Sequence, residues 1–496
     1  MNNLEFQPEL RPALPEIKGC KEYREERALF IHIDQILQDS GLQAEFIALF
    51  INEKGLDAKT ISQARINHLI RNSIMAFRGN IARLIKKLSH REFCKLLPDS
   101  TLLRWFIGIE RMDAVKAYAK SSSDRYTRCL SHESLQYLNQ KLISIFAQAD
   151  QNHHLQPDLA EALDFETVYF DSTCLKAPIH YPTDWVLLRD LTRSLMKATS
   201  ITRREGLTHR MPQAPLEFLS DMNTQVMKMT ATNRIKDGKK KRKNVMREMR
   251  DLARKIKRHA QNHLDLLKTR SHETNLSPGR IAHLTQRIQS ILDQVDEAIH
   301  QACERLIGER QVKNESKIFS LYDTDINCIT RAKSQAQVEF GNKLWLGETQ
   351  QGLIVDYLLE QKQTGDTKHV LPALKRLTQE QNLPIKAIFG DRGLSSTSNE
   401  KALKKANIYN GLCPKNVTQL SERLAQEPEL KAGLKRRAST EARIKILTHD
   451  FLGETPRAKG FSHREMAVGW AVLTHNLWLV ARLAHKEPER ATAEAA

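Results

Sequence analysis

TVYFD, residues 167–171, is a short run of β-branched and aromatic residues that ends in an acid. Such residues fit a pleated, half-buried surface, so the run predicts a central strand. Similar runs follow far downstream: QVEFGNKLWLG (337–347), GLIVDYLL (352–359) after the turn-like ETQQG, IKAIFGD (385–391) and IYNGLC (408–413). Helical patterns in PALKRLTQEQ (372–381) and NEKALKKA (399–406) separate the last of them. That mixed order is expected of an α/β domain, and it makes TVYFD part of one fold with the distant strands.

Outward from this strand, the chain reads as helix after helix. Before it, apolar residues recur at helical spacing in FIHIDQIL (30–37), INHLIRNSIMAF (66–77), ARLIKKL (82–88) and SLQYLNQKLISIFAQ (134–148). Ser131 precedes the last of these and is a candidate N-cap, for a helix-turn-helix or for an ordinary bundle helix. After the strand, PTDWVLLRDLTRSLMKA (182–198) opens a long helical block with Pro182 and Thr183 at its start and Asp184 in its first turn. Arg234 to Arg258 carries thirteen Lys or Arg against three acids, including the run Lys239–Lys243. A further helix over about 280–307 has the apolar spacing of a helical-hairpin partner. These patterns divide the chain into an all-α N-terminal domain (1–155) and an α/β domain (156–485). The latter is interrupted at about 184–315 by a basic helical insertion, and a frayed Ala/Glu-rich tail (486–496) ends the chain.

Bulk properties narrow the function classes. With 496 residues, 40% of them hydrophobic, the chain can bury cores for two or three domains. Its 77 basic residues against 59 acids give a net charge of +18. That excess suits a polyanionic partner, most commonly nucleic acid, although a basic surface also simply keeps a protein in solution. The seven cysteines lie far apart with no Cys-x-x-Cys pair, which indicates neither a zinc finger nor a disulfide framework and suits reduced thiols in a cytosol. The first residues lack the basic start and apolar core of a secretory signal. The most apolar late stretch, Met466 to Leu483, contains His475, Asn476 and Arg482, so it predicts a buried helix and not a membrane span.

Three acids stand in positions that chemistry can use. Asp171 and Asp391 each end an apolar strand, where a carboxylate faces the rim of a sheet. Gly390 and Gly393 flank Asp391 and permit a sharp turn and a close phosphate backbone. Glu441 lies in the helical stretch LKRRASTEARIKILTH, four residues after Arg437 and on the same face. Three converging carboxylates form a hard oxygen site suited to magnesium or manganese. Taken singly, each has a plainer reading: a strand-end Asp forms a turn, and a helix Glu is a solvated surface residue.

Together the segments resemble the DDE transposases of bacterial insertion sequences, whose catalytic core is ribonuclease H-like. The matching pieces are VYFDSTCLKAPIHYPTDWVLLRD, QVEFGNKLWLGETQQGLIVD, IFGDRG, RRASTEARIKILTHDFLGETPRAKG and VGWAVLTHNLWLVARL, with KLSHREFCKLLPDSTLLRWFIG similar to the family's helical N-terminal domain. The resemblance implies that Asp171, Asp391 and Glu441 bind two Mg2+ or Mn2+ ions and that the substrate is double-stranded DNA. It implies strand cleavage at element ends followed by strand transfer, in a dimer or larger assembly in the bacterial cytoplasm, on the nucleoid when bound to DNA. The family's Tyr-x2-Arg-x3-Glu-x6-Lys pattern keeps Arg437 here, while Leu434 replaces its Tyr and Thr448 its Lys. Arg437, Lys445 and Arg392 are expected at the DNA, and Glu454 and Glu465 are rival third acids. His180, Tyr181 and Asp184 read either as positioning groups or as the start of a helix. Lys239, Lys240, Lys241, Arg242 and Lys243 are expected to contact DNA phosphates, the alternative being a solvated coiled-coil face. A DNA-binding protein without catalysis and a ribonuclease H-like nuclease without strand transfer are the competing functions.

Overall fold

The computed structural model describes residues 13–55, 61–109, 115, 117–148, 162–232, 237–333, 336–453 and 457–485. The expected tail and Glu454 lie outside them. The chain divides into two compact units, one of residues 1–176 with 342–496 and one of residues 177–341.

Among the described residues, the first unit begins with seven helices: α1 (Lys21–Asp39), α2 (Leu42–Glu53), α3 (Gln63–Ile85), α4 (His90–Leu96), α5 (Thr101–Ile107), α6 (Lys120–Tyr126) and α7 (His132–Gln148). Local chemistry sets their starts. The Ser62 and Ser100 side chains accept from the backbone of the first turns of α3 and α5, and Ser89 with Glu92 forms a capping box on α4. Ser131 accepts from Ser134 N–H at 3.2 Å, the cap expected from the sequence. Two segments that read as separate helical runs, 66–77 and 82–88, belong largely to the single helix α3.

Strand β1 (Thr167–Lys176) follows, and after the second unit come β3 (336–348, of which 342–348 lie in this unit), β4 (Ile354–Leu359), β5 (Ala387–Gly390) and β6 (Tyr409–Leu412). In the sheet β3 neighbours β1 and pairs antiparallel with β4, while β5 is parallel to both β1 and β6. Short helices α12 (Val370–Lys375), with a π-helical turn at Arg376–Glu380, and α13 (Thr397–Lys405) connect the strands. Helices α14 (Val417–Gln426), α15 (Pro428–Ile446) and α16 (Phe461–His485) complete the unit. The architecture is mixed α/β, as the sequence pattern predicted.

One continuous core runs through this unit, from Phe30 and Phe77 of the N-terminal helices to Phe170 and Trp345 of the sheet and Trp470 of α16. The N-terminal helices therefore share their apolar interior with the sheet. α16 is the predicted buried helix, and its polar residues have structural work: Asn476 accepts from Ile354 N–H and donates to Ile354 C=O, both at 2.9 Å. Burial brings the His475 imidazole down to about 4 and keeps it neutral. Among the described residues, no helix is long and apolar enough to cross a membrane, and the seven cysteines are unbonded.

The second unit packs α8 (Asp184–Arg204), α9 (Pro215–Ala231), α10 (Gly238–Arg270) and α11 (Pro278–Leu306) around a separate apolar core. On α10 the buried residues Met246, Met249, Ala253, Ile256, Ala260, His263 and Leu267 alternate three- and four-residue steps. α11 answers with Leu284, Ile288, Ile291, Val295, Ala298 and Ala302, so the two long helices meet along a coiled-coil-like seam. Strand β2 (327–333) pairs antiparallel with the first part of β3. NCITRAK was not predicted as a strand, because its Arg and Lys break the apolar alternation. The compact unit is also wider at both ends than the predicted insertion.

Candidate active site

Register brings the two aspartates together. In the parallel pair β1–β5 the last registered residues are Phe170 and Gly390, so Asp171 and Asp391 follow abreast on strands about 4.8 Å apart. Side chains alternate along a strand, so Asp171 shares a face with Tyr169, and Asp391 shares one with Phe389. Those two rings are stacked, 5.2 Å between centroids, which makes the face common to both acids.

α15 covers that face, and its close approach depends on glycine. A Cβ on Gly433 would lie 2.0 Å from the Phe389 ring, and one on Gly411 of β6 would lie 2.2 Å from the same ring. Leu430 packs beside Gly433 in a small apolar cluster with Tyr169 and Phe389, joined by Leu434. The helix is fixed by Arg436, whose guanidinium sits 4.7 Å over the Tyr169 ring and donates to Glu348 at 3.0 Å and to the Thr349 and Gln350 carbonyls. Thr440 donates to the same buried Glu348 carboxylate at 2.8 Å. Further along this helix stand Arg437 and Glu441.

The acids act on one another. Asp171 is 14% exposed, and burial pushes its carboxyl up to about 6, with the negative charges of Asp391 and Glu441 adding to the rise. Against it work Ser172 N–H, which donates at 2.7 Å, and Arg437, whose guanidinium lies 3.3 Å away. Asp391 is half-buried and Glu441 exposed. All three predicted acids therefore lie within one electrostatic neighbourhood.

A fourth carboxylate, Asp366, has no counterpart among the acids predicted from the sequence. A Cβ on Gly393 would lie 3.1 Å from Asp391 Oδ1 and 3.5 Å from Asp366 Oδ2, so the two acids flank one glycine. Lys343 pairs with Asp366 at 2.7 Å, and Ser172 Oγ lies 3.5 Å from it. Asp366 sits in the loop after β4, where its context, QTGDT, reads as an ordinary turn. Nothing in the local pattern marks it.

The donor set consists of hard oxygens suited to Mg2+ or Mn2+. Among the described residues, no group of three or more His, Cys, Asp or Glu is drawn together as a metal-holding cluster. Carboxylates repel one another, and Arg437 balances Asp171 as its counter-ion. The residues fit a divalent ion in kind and in their shared field; their side chains are not closed into a ligand cage.

The other predicted residues are distributed as follows. Arg437 faces Asp171, while Lys445 and Arg392 are exposed. Leu434 packs in the apolar cluster, and the Thr448 hydroxyl donates to Ile444 C=O. Glu465 lies 3.5 Å from His132 and is pushed up to about 7 by burial and by Glu133; it is not among the charges that act on Asp171. In the second unit, Asp184 is buried against Arg305 at 2.8 Å and Gln301 at 2.9 Å, a structural role. His180 and Tyr181 are exposed, with Tyr181 edge-on to Phe340. Lys239, Lys240 and Lys241 are exposed on the first turn of α10, Arg242 is half-buried and Lys243 pairs with Glu309 at 2.9 Å. Arg247, Arg254, Lys255 and Arg258 continue the exposed basic surface. The same helix start borders a cavity of about 690 Å³ that Arg310, Lys313 and Lys317 also line.

Comparison with known protein families, curated proteins and solved structures returned no match to this chain.

Proposed function

We propose that the protein is a DNA transposase of the DDE type, with a ribonuclease H-like core, that cuts DNA at element ends and joins the freed ends to target DNA. The observation that carries this reading is the register of β1 and β5, which sets Asp171 abreast of Asp391 beneath the helix that bears Glu441. A mixed sheet with a β3–β4 hairpin beside three parallel strands supports the fold assignment.

In this reading Asp171 and Asp391 would hold Mg2+ or Mn2+ and Glu441 would complete the ligand set. Bound there, the ions supply activation of the attacking oxygen and stabilisation of the leaving oxygen of a phosphodiester. Arg437 neutralises Asp171, and with a cation held at that carboxylate its guanidinium would be available to a DNA phosphate. Lys343 balances Asp366, which limits the repulsion among the acids. Lys445 and Arg392, exposed and near the acids in sequence, would meet the scissile strand in this reading. The basic surface of α10 tracks the DNA backbone, and its excess of exposed cations makes binding strongly salt-dependent. Joining two element ends calls for a dimer or larger assembly on double-stranded DNA in the bacterial cytoplasm.

Labelled duplexes carrying the terminal sequences of the element, incubated with the protein and Mg2+ or Mn2+, test the proposal. Cutting followed by joining is the expected result. Cutting without joining would leave a nuclease, and binding without cutting would leave a non-catalytic DNA-binding protein.

A further inference from the structure

We propose that the first unit carries, away from its three acids, a binding site for a phosphate-bearing anion centred on Arg83. The site is a cavity of about 800 Å³ walled by the end of α3, the turn into α4, α6 and residues of 449–453 and 457–470. It is independent of the transposase reading and stands if that reading fails.

Arg83 is the reason for the assignment. Its side chain is half-buried, with Nε shut off from water, yet no carboxylate pairs with it among the described residues. Its Nη1 donates to Leu88 C=O at a long 3.3 Å, and its Nε is buried with no hydrogen-bond partner. Burial brings the guanidinium down to about 10 against the opposing pull of Tyr118 and Asp124. A half-buried cation with an unpartnered donor and no counter-ion is costly in proportion to its burial, and an anion in the cavity would complete it.

The rest of the wall repeats the imbalance. Seven Lys or Arg side chains line the cavity against three acids, and each acid is already engaged. Asp124 pairs with Arg128, Asp450 pairs with Lys87 at 3.0 Å, and Glu92 accepts from Ser89 N–H at 3.0 Å. Arg91, Lys120, Arg457 and Lys459 are exposed and have no ion-pair partner among the described residues. His90 adds no charge of its own, because burial and Arg83 hold it down to about 4. A monocarboxylate would neutralise little of this excess. Phosphate oxygens match both its charge and the planar fork of a guanidinium.

Such a group comes either from a DNA backbone or from a free phosphorylated molecule, and one experiment separates them. Full-length protein, without added metal, is titrated with pyrophosphate at constant ionic strength and with a short DNA duplex, following binding and melting temperature. Wild type is expected to bind pyrophosphate saturably and to melt at a higher temperature with it. Arg91→Ala/Lys459→Ala, at exposed positions, should weaken binding by about tenfold, the scale of one or two missing charge-assisted hydrogen bonds. Arg83→Met should abolish binding without lowering the melting temperature of the ligand-free protein; the double variant still decides the matter if it does not fold. Competition between duplex and pyrophosphate identifies the DNA backbone as the source, and undisturbed pyrophosphate binding beside saturating duplex identifies a free molecule. No saturable binding of either probe, or equal affinities of wild type and double variant for both, overturns the proposal.

Discussion

Asp171→Asn should make the first unit more stable at neutral pH while it removes strand cleavage. Burial and the charges of Asp391 and Glu441 lift the Asp171 carboxyl from 3.8 to about 6. At about 1.4 kcal/mol per pKa unit, the ionised form costs the native state on the order of 3 kcal/mol. The native state holds its proton more tightly than the unfolded chain. The cost is therefore absent below about pH 4, grows as pH rises through the interval, and is fully present above about pH 7. The opposing pull of Arg437, 23% exposed and 3.3 Å away, is already contained in that net shift, so its loss takes nothing further from the gain. With an unfolding entropy of about 2 cal/mol/K per residue over a unit of this size, a gain of about 3 kcal/mol raises its melting temperature by roughly 4 °C.

Tryptophan emission is a suitable probe, because Trp105, Trp345, Trp470 and Trp478 lie in that unit and only Trp185 lies outside it. Melting of wild type and variant from pH 4 to pH 8 should show two curves that coincide near pH 4 and separate by a few degrees above pH 7. Mg2+ should close the gap by stabilising wild type alone. A gap of constant size across this range would refute the reasoning, for it would show that Asp171 carries no strained charge.

Three further outcomes follow from the same geometry. Asp391→Asn and Glu441→Gln should each reduce cleavage by roughly 10²–10³-fold or more, the scale on which a group serving the transition state acts, with DNA affinity unchanged in a gel-shift assay; retained cleavage removes that residue from the site. Replacing Lys239, Lys240 and Lys241 with Gln should weaken duplex binding and flatten the slope of log K against log salt by about 0.9 for each phosphate left without its cation, and an unaltered slope excludes them from the DNA interface. Gly433→Ala places a methyl group 2.0 Å from the Phe389 ring; by overpacking it should cost at least about 1–3 kcal/mol in chemical denaturation, with cleavage falling as α15 is displaced, and a neutral effect would mean that the helix does not depend on this close approach.

What the sequence made legible, and what it did not, follows from the range of the forces involved. TVYFD and IKAIFGD announce strands because β-branched and aromatic residues alternate over a few positions, and their terminal acids are visible in the same window. The pairing of β1 with β5 is not local, yet apolar strands leave few registers that bury Val168, Phe170 and Ile388 on one side. Once that register holds, Asp171 and Asp391 come abreast as a consequence of burying the core. Asp366 could not be read in this way. Its position beside Asp391 depends on the path of the loop after β4, and its partner Lys343 looks like an ordinary charge within a strand. The same limit hid Arg83, which appears in the sequence as one cation among many. Only the folded chain half-buries it, shuts its Nε off from water and commits the nearby acids elsewhere, and that removal of compensating charge turns a common residue into a candidate anion site. Local patterning thus marks residues whose role comes from burial or strand geometry. Roles that come from the absence of a partner appear only in three dimensions.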